Sequence, residues 1–309
     1  MEEKKKTVTK VAEGEKVKKT VKQAAEAAEP VEEKKVKKVE ALSKAEEKSK
    51  ATTLRIVSAI LWVLAIGCEV LAILCLFKAL RLPGPSQMWW MIIFIVADLG
   101  FCLAAGFLWK KASHLDPFKK TNNKVGFFIL TQLGVIMAAI CFIPLIILVL
   151  ASKDKLDKKS KIVVTIVAIV ALLVAGLLGA DFNPISKEEK DAAEKAFTDE
   201  VCWTTYGHKY HLMFKAVNED GTPIIDETTG EQKIDYCSAL ANSTGIYTGK
   251  VSAAIDNGCS ELCKFCARKA AEQGIDLTEI NIEGDTPVRE LVENAPVDTG
   301  DLQLAPAGE

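Results

Sequence analysis

Four cysteine and histidine side chains in the last third of the chain form the clearest chemical pattern in the sequence. Cys263-Lys-Phe-Cys266 is a C-x-x-C pair at the start of a predicted helix, and His211 and Cys237 precede it where turns can bring them close. Thiolate sulfur and imidazole nitrogen are the ligands that zinc prefers in tetrahedral sites. The sequence therefore predicts a zinc site formed by these four residues, with zinc as the cofactor.

Two other interpretations of the cysteines stay open. The five cysteines of the C-terminal part could form disulfides if that part is exported, although an odd number leaves one thiol free. A C-x-x-C pair at a helix start also lowers a thiol pKa and could serve a thiol oxidoreductase, but no thioredoxin-like βαβ pattern surrounds it. The other cysteines are most simply explained as small buried or lipid-facing side chains: Cys68, Cys75, Cys102, Cys141, Cys202 and Cys259.

Two acidic residues lie inside apolar segments in the middle of the chain. Glu69 precedes Arg81 by 12 positions and Asp98 follows Gln87 by 11, so both fall near the midplane if the two segments pair antiparallel in a membrane. A carboxylate at that depth is costly unless it is protonated or lines a polar cavity. The pair is therefore either an intramembrane proton or ion site, or two neutral acids that hold two helices together.

Several short strings between residues 201 and 270 follow the pattern of a known family. They are Lys209-Tyr-His211, Tyr236-Cys-Ser-Ala-Leu240, Ser252-Ala-Ala-Ile-Asp256, Gly258 and Leu262-Cys-Lys-Phe-Cys266. They resemble the metal-binding domain of the Ada DNA-repair protein, copies of which end some bacterial nucleases and bacterial multi-pass membrane proteins. The resemblance implies a small α+β, zinc-ribbon-like domain with His211, Cys237, Cys263 and Cys266 as ligands. Because 25 residues separate His211 from Cys237, a longer spacing than in the family, His208 is the substitute ligand to consider.

The middle of the chain contains four apolar segments, and a helix of roughly 20 apolar residues suffices to cross a membrane. The four segments are 54–80, 88–109, 125–151 and 162–180. Small residues recur in them at four-residue spacing, which allows close helix packing: Gly100 with Ala104, Gly134 with Ala138, and Gly176 with Ala180. We therefore predict an α-helical membrane bundle of four transmembrane helices, with the lipid bilayer as its first partner.

The orientation of the bundle follows from the basic residues beside the segments, which favour the cytoplasm. The N-terminal tail and the 109–124 loop are both rich in lysine, and two crossings between them place both in the cytoplasm. The 152–161 loop is also rich in lysine, and four crossings place it outside. Summed over all flanks, the basic residues favour a cell-membrane protein with both termini in the cytoplasm. A re-entrant third segment would place the C-terminal part outside instead.

The polar parts of the chain flank this region. Residues 1–53 hold 15 Lys and 11 Glu with no aromatic residue, which predicts a disordered charged cytoplasmic tail. Ser186-Lys-Glu-Glu189 is a capping box that opens a connecting helix within 185–200. Residues 201–270 form the Cys/His soluble module, with short strands near 201–205 and 209–214, an inserted hairpin at 218–235, and helical segments at 251–257 and 260–273. Residues 271–309 are predicted to be an acidic, mostly disordered tail.

Charge and motifs exclude several classes of function. Residues 185–309 hold 11 Lys or Arg against 24 Asp or Glu, and such an acidic surface repels nucleic acid. The sequence has no Walker loop, Rossmann glycine pattern, zinc-protease motif or nucleophile elbow, which argues against an enzyme. We therefore expect a multi-pass membrane anchor that presents a zinc-stabilised interaction or sensing module to a protein partner, and a homo-oligomer is compatible with it. The alternatives are a small transporter or channel that uses Glu69 and Asp98, and a membrane-bound thiol oxidoreductase.

Overall fold

The computed structural model describes residues 36–285, except for positions 81, 84–85, 122, 153–155, 219, 221, 227–229, 231, 241–242 and 244. The predicted disorder of residues 1–35 and of 286–309 therefore lies outside the described residues. Helices dominate the described part, and a small mixed sheet combines one strand before the first long helix with strands after the last one.

Four helices are long and apolar enough to cross a membrane: α1 (Lys44–Leu76), α2 (Gln87–Leu115), α4 (Leu133–Ala151) and α5 (Lys158–Gly179). A short helix, α3 (Lys124–Thr131), precedes α4. Large apolar side chains cover the outside of this bundle, as the 69% exposed Val63, the 67% exposed Phe107 and the 65% exposed Leu177 illustrate. An apolar exterior of this extent is expected for a surface that faces lipid.

The helices extend beyond the predicted apolar segments where polar residues cap them. Helix α1 begins ten residues before position 54, because the Ser43 side chain accepts a hydrogen bond from the Glu46 N–H and the Glu46 carboxylate accepts one from the Ser43 N–H. Such a capping box satisfies amide groups that the first helical turn leaves unpaired. At the other end of the bundle, Asp157 caps α5 through the Ser160 N–H.

The third predicted segment, 125–151, is not one continuous helix. It breaks at Gln132, between α3 and α4. The Gln132 amide donates to the Asp181 carbonyl oxygen at 2.6 Å, and its Oε1 accepts from the Asp181 N–H at 3.3 Å. Gln132 thus ties the break to the chain immediately after α5.

A five-stranded mixed sheet forms the centre of the C-terminal module. Its strands are β1 (Val36–Lys38), β2 (Val201–Thr204), β3 (Lys209–Leu212), β6 (Ile246–Gly249) and β7 (Glu261–Leu262), in the order β1-β6-β2-β3-β7. Strand β2 is antiparallel to β3 and β6, whereas β1 is parallel to β6 and β7 is parallel to β3. The connecting helix is α6 (Lys187–Ala196), and two further helices of the module are α7 (Val251–Asp256) and α8 (Lys264–Glu272).

Part of the segment predicted to be a disordered N-terminal tail is folded. Val36–Lys38 pairs with β6, the Val39 N–H donates to the Thr248 carbonyl oxygen at 2.7 Å, and Lys38 forms an ion pair with Glu200. A Cβ at Gly249 would collide with the Val39 carbonyl oxygen, so this approach requires glycine. Residues 36–53 therefore belong to the module and to α1. Val36 pairs with Ile246, 210 positions further along the chain, and this pairing supplies order that the composition of the segment does not.

The described part of the predicted acidic tail is also folded up to residue 285. Leu277, Ile280 and Ile282 are buried in the core of the module, and Ile282 forms a parallel bridge with Leu262. The module therefore runs past residue 270. The predicted zinc-ribbon fold is not confirmed, since the strands form one mixed sheet with helices packed against it.

Candidate metal centre

Strand β3 positions the histidine. His211 pairs with Cys202 across the β2–β3 ladder and is 7% exposed. Its Nδ1 is buried and has no hydrogen-bond partner among the described residues. A buried imidazole nitrogen without a partner is costly, and a metal ion is one group that would satisfy it.

The C-x-x-C pair lies beside His211 because backbone contacts join α8 to β3. The Cys263 N–H donates to the carbonyl oxygen of Tyr210 at 3.1 Å, which fixes the start of α8 next to the residue before His211. Cys263 is the N-cap of α8 and Cys266 lies in its first turn, and both are buried. The three-residue spacing on a helix start therefore directs both thiols toward the imidazole.

The long spacing before Cys237 is bridged by a hairpin. Strand β4 (Phe214–Lys215) begins three residues after His211 and pairs antiparallel with β5 (Ile234–Asp235), which ends two residues before Cys237. Further bridges join Val217 to Pro223 and Ile225 to Gln232. The two ends of the insertion therefore lie side by side. The predicted hairpin thus explains how His211 and Cys237 come together despite their separation in sequence.

The four predicted ligands converge. The ligand atoms of His211, Cys237, Cys263 and Cys266 all lie within 4.8 Å of one another. Zinc–sulfur bonds of about 2.3 Å in a tetrahedron place ligand atoms roughly 3.8 Å apart, so the arrangement is of the size that a four-coordinate zinc ion needs. The three thiols and one imidazole therefore fit a metal ion, whereas His208 is not a member of this group.

The thiols of the centre differ in their acidity. The hydrogen bond with Cys266 and a weaker one with His211 lower the pKa of Cys263 well below its usual range, although burial opposes the shift. The same hydrogen bond and burial raise the pKa of Cys266. A thiolate is thus favoured where a cation would bind. Outside the group, burial raises the pKa of Cys202 and that of Cys259 to about 12, so these two remain neutral thiols.

One side of the centre opens to a cavity of about 290 Å³. Cys237, the half-buried member of the group, and Cys266 line this cavity together with Phe265 and the basic side chains of Arg268 and Lys269. All nine cysteines of the chain are free thiols in the structure, so no disulfide joins the predicted ligands.

The two predicted intramembrane acids lie inside the bundle. Glu69 of α1 is 6% exposed and Asp98 of α2 is 1% exposed. Glu69 Oε1 and Asp98 Oδ2 are both buried without a hydrogen-bond partner in the described parts of the chain. These two oxygens therefore form no hydrogen bond that would join the two acids.

A buried ion cluster between the bundle and the module was not predicted from the sequence. Lys190 of α6 donates to Glu47 of α1 at 3.2 Å, to Asp256 of α7 at 2.8 Å, and to the Leu115 carbonyl oxygen at the end of α2 at 2.9 Å. Burial raises the pKa of Asp256 to about 6, and Lys190 opposes that rise. These charges come from distant segments, and no local pattern in the sequence relates them.

No family model, curated protein or solved structure matches this chain.

Proposed function

We propose that this protein is a multi-pass anchor in the cell membrane whose C-terminal module holds one structural zinc ion and serves as a non-catalytic interaction or sensing module. The observation that carries the proposal is the convergence of one imidazole and three thiols within 4.8 Å. The resemblance of residues 201–270 to Ada-type metal-binding domains supports the same ligands. The lysine-rich flanks of the helices favour a cytoplasmic location for both ends.

The number of ligands favours a structural role for the zinc. Four protein ligands complete a tetrahedral shell, whereas catalytic zinc sites keep a position open for water or substrate. Such an ion would connect β3, the end of the inserted hairpin and the start of α8, whose ligand residues are far apart in the sequence. Metal binding would therefore contribute directly to the folding of the module.

The surroundings of the centre suit contact with a partner. Phe265 lies between the two C-x-x-C ligands and is 50% exposed, and Tyr206 in the β2–β3 turn is 94% exposed. Aromatic side chains in such positions are frequent anchors of protein interfaces. A change in the metal centre would move Phe265 with α8, which is how the module would report metal or thiol status to a protein partner.

Metal analysis of the full chain in detergent tests this proposal. We expect zinc in the purified protein, and we expect Cys263→Ser/Cys266→Ser to bind one zinc ion fewer than wild type. Cys259→Ala is the matched control, since Cys259 is a buried thiol of the same module outside the ligand group, and it should leave the zinc content unchanged. Equal zinc in wild type and in the double variant would refute the centre.

Thiol counting separates this function from the alternatives. With zinc bound, chelation should expose the three ligand thiols to a labelling reagent together. An oxidised Cys263–Cys266 pair without metal, reversible by a dithiol, would instead support the thiol oxidoreductase. Disulfides that involve Cys202 or Cys259 would support an exported domain.

A second candidate function is transport of a proton or ion through the bundle. It is favoured by the unpartnered buried oxygens of Glu69 and Asp98, because intramembrane carboxyl groups commonly mark ion paths. Glu69→Gln and Asp98→Asn should then reduce cation or proton flux in reconstituted vesicles at least about tenfold, while helix content stays unchanged. Flux that is absent from wild-type vesicles, or unchanged in both folded variants, would remove this candidate.

A further inference from the structure

A second group of potential metal ligands lies inside the bundle. Asp98 and Cys102 of α2 and Cys141 of α4 place one carboxylate oxygen and two sulfur atoms within 4.8 Å of one another. All three side chains are buried, with relative exposures between 0% and 5%. Asp98 and Cys102 are one helical turn apart and therefore share a face of α2, and the facing helix supplies the third ligand.

One buried oxygen of this group has no hydrogen-bond partner among the described residues, which indicates a bound cation. Cys102 donates to Asp98 Oδ1 at 3.5 Å, but Asp98 Oδ2 has no hydrogen-bond partner among the described residues and is buried. Glu69 Oε1, in the same bundle, is also buried and has no hydrogen-bond partner within the described part of the chain. Buried polar groups are almost always paired, and the cost of leaving one unpaired is larger in an apolar surrounding.

No side chain of the apolar segments can supply the missing positive charge. The sequence has no lysine or arginine from 56 to 77, from 88 to 109, from 125 to 152 or from 162 to 186. A carboxylate at this depth would have to be neutral or be compensated by a cation from outside the chain. The two thiols beside the Asp98 carboxylate restrict the identity of the cation, because sulfur ligands select soft or borderline metals over magnesium and calcium.

We propose that Asp98, Cys102 and Cys141 form an intramembrane binding site for a borderline-to-soft divalent metal ion such as zinc or cadmium. Binding displaces one thiol proton to solvent, so that the Asp98 carboxylate and one thiolate balance the two positive charges of the metal while the second cysteine contributes its sulfur atom. Three protein ligands leave one tetrahedral position open, in contrast to the four-ligand centre of the module. A metal ion at this site would join α2 to α4. The site is independent of the metal centre in the module and requires no transport function of the bundle.

Counting metal ions on the full chain tests the site without relying on the module. Wild-type protein in detergent is saturated with Zn²⁺ or Cd²⁺, freed of excess metal and weighed by native mass spectrometry. Cys102→Ala/Cys141→Ala should bind one ion fewer than wild type, whatever number the module holds. The module variant Cys263→Ser/Cys266→Ser should keep the bundle ion, so that failure of one centre is distinguishable from failure of the other.

Two further variants guard against a folding artefact. Asp98→Asn preserves size and should weaken cadmium affinity by more than the roughly 10–100-fold typical of losing an outer-shell partner. Cys75→Ala removes a thiol that is equally buried in the bundle but lies outside the ligand group, and it should bind as many ions as wild type. Equal metal counts in wild type and in folded Cys102→Ala/Cys141→Ala protein, or a Cys102–Cys141 disulfide in the protein as isolated, would overturn the proposal.

Discussion

Val36 pairs with Ile246 in a parallel ladder, although all four membrane-length helices separate the two residues in the chain. The segment before α1 and the module after α5 therefore belong to one sheet. Because segments that share a sheet lie on one side of a membrane, we expect the chain to cross an even number of times. We therefore expect the module and the segment before α1 on the same side of the membrane, which a re-entrant third segment would not allow.

Reporter fusions at the two ends should therefore indicate the same compartment, which we expect to be the cytoplasm. A reporter inserted in the loop after α1 or in the loop after α4 should indicate the opposite compartment. The measurement is the activity of paired reporters that function on one side of the membrane each. Opposite locations for the two ends would contradict the β1–β6 pairing.

Replacing Lys190 should weaken the attachment of the module to the bundle. Lys190→Met leaves Glu47 and Asp256 buried without their cation, and breaking a buried ion pair from one side costs about 3–5 kcal/mol. We expect a loss of that order in the free energy of unfolding in mixed micelles. Lys195→Met on the same helix removes an exposed lysine and should change stability by less than about 0.5 kcal/mol. Equal stabilities for the two variants would show that the cluster is not coupled to folding.

The pH dependence of stability should contain a contribution from Asp256. Its pKa of about 6 in the folded protein exceeds the value of about 3.9 for an unfolded aspartate, and burial is the main cause. The folded state thus holds this proton to higher pH, so the contribution to the free energy of unfolding is largest below about pH 4 and falls as pH rises to about 6.

Asp256→Asn should lack this dependence. The stability of wild type relative to the variant should fall between pH 4 and pH 6 by an amount on the order of 2 kcal/mol. Taking the difference at each pH cancels contributions that both proteins share, including acid release of metal. A difference that is constant with pH, or that grows as pH rises, would contradict the raised pKa.

The candidate Cys/His residues were predictable because their local signals are strong, whereas their convergence depends on contacts between distant segments. Cys263 and Cys266 are set by one helix start. The sequence alone left His208 as a substitute for His211, and the structure favours His211 because it lies in β3, which contacts the start of α8 through the Tyr210 carbonyl oxygen. Pairing of β4 with β5 then places Cys237 near His211.

The parts of the fold that sequence analysis missed are held by non-local partners. The lysine-rich string at Val36–Lys38 has no strand signal of its own and becomes a strand by pairing with β6. Glutamine does not by itself break a helix. The helix ends at Gln132, where the side chain forms hydrogen bonds with the backbone of Asp181, which is 49 residues away. The long helices were predictable for the opposite reason, since an apolar run of sufficient length determines a membrane-crossing helix without reference to partners.

Close packing in the bundle depends on Gly134 of α4, one of the small residues that the four-residue spacing identified. A Cβ at Gly134 would lie 2.6 Å from the Gly179 carbonyl oxygen and 3.4 Å from the Gly179 Cα atom at the end of α5. Because the contact is with backbone, no side chain can rotate away and the helices must separate. At Gly100 a Cβ would meet nothing within 4 Å among the described atoms, so the same spacing there does not mark a helix contact.

Gly134→Ala should therefore lower the stability of the bundle by about 1–3 kcal/mol, the usual cost of overpacking. Gly100→Ala is the matched control and should be neutral or stabilising by up to about 1 kcal/mol, because alanine favours the helix. Unfolding of both variants in mixed micelles measures the difference. Equal stabilities of Gly134→Ala and Gly100→Ala would contradict this prediction. They would mean that a methyl group fits between Gly134 and Gly179, and that close backbone packing does not hold α4 and α5 together.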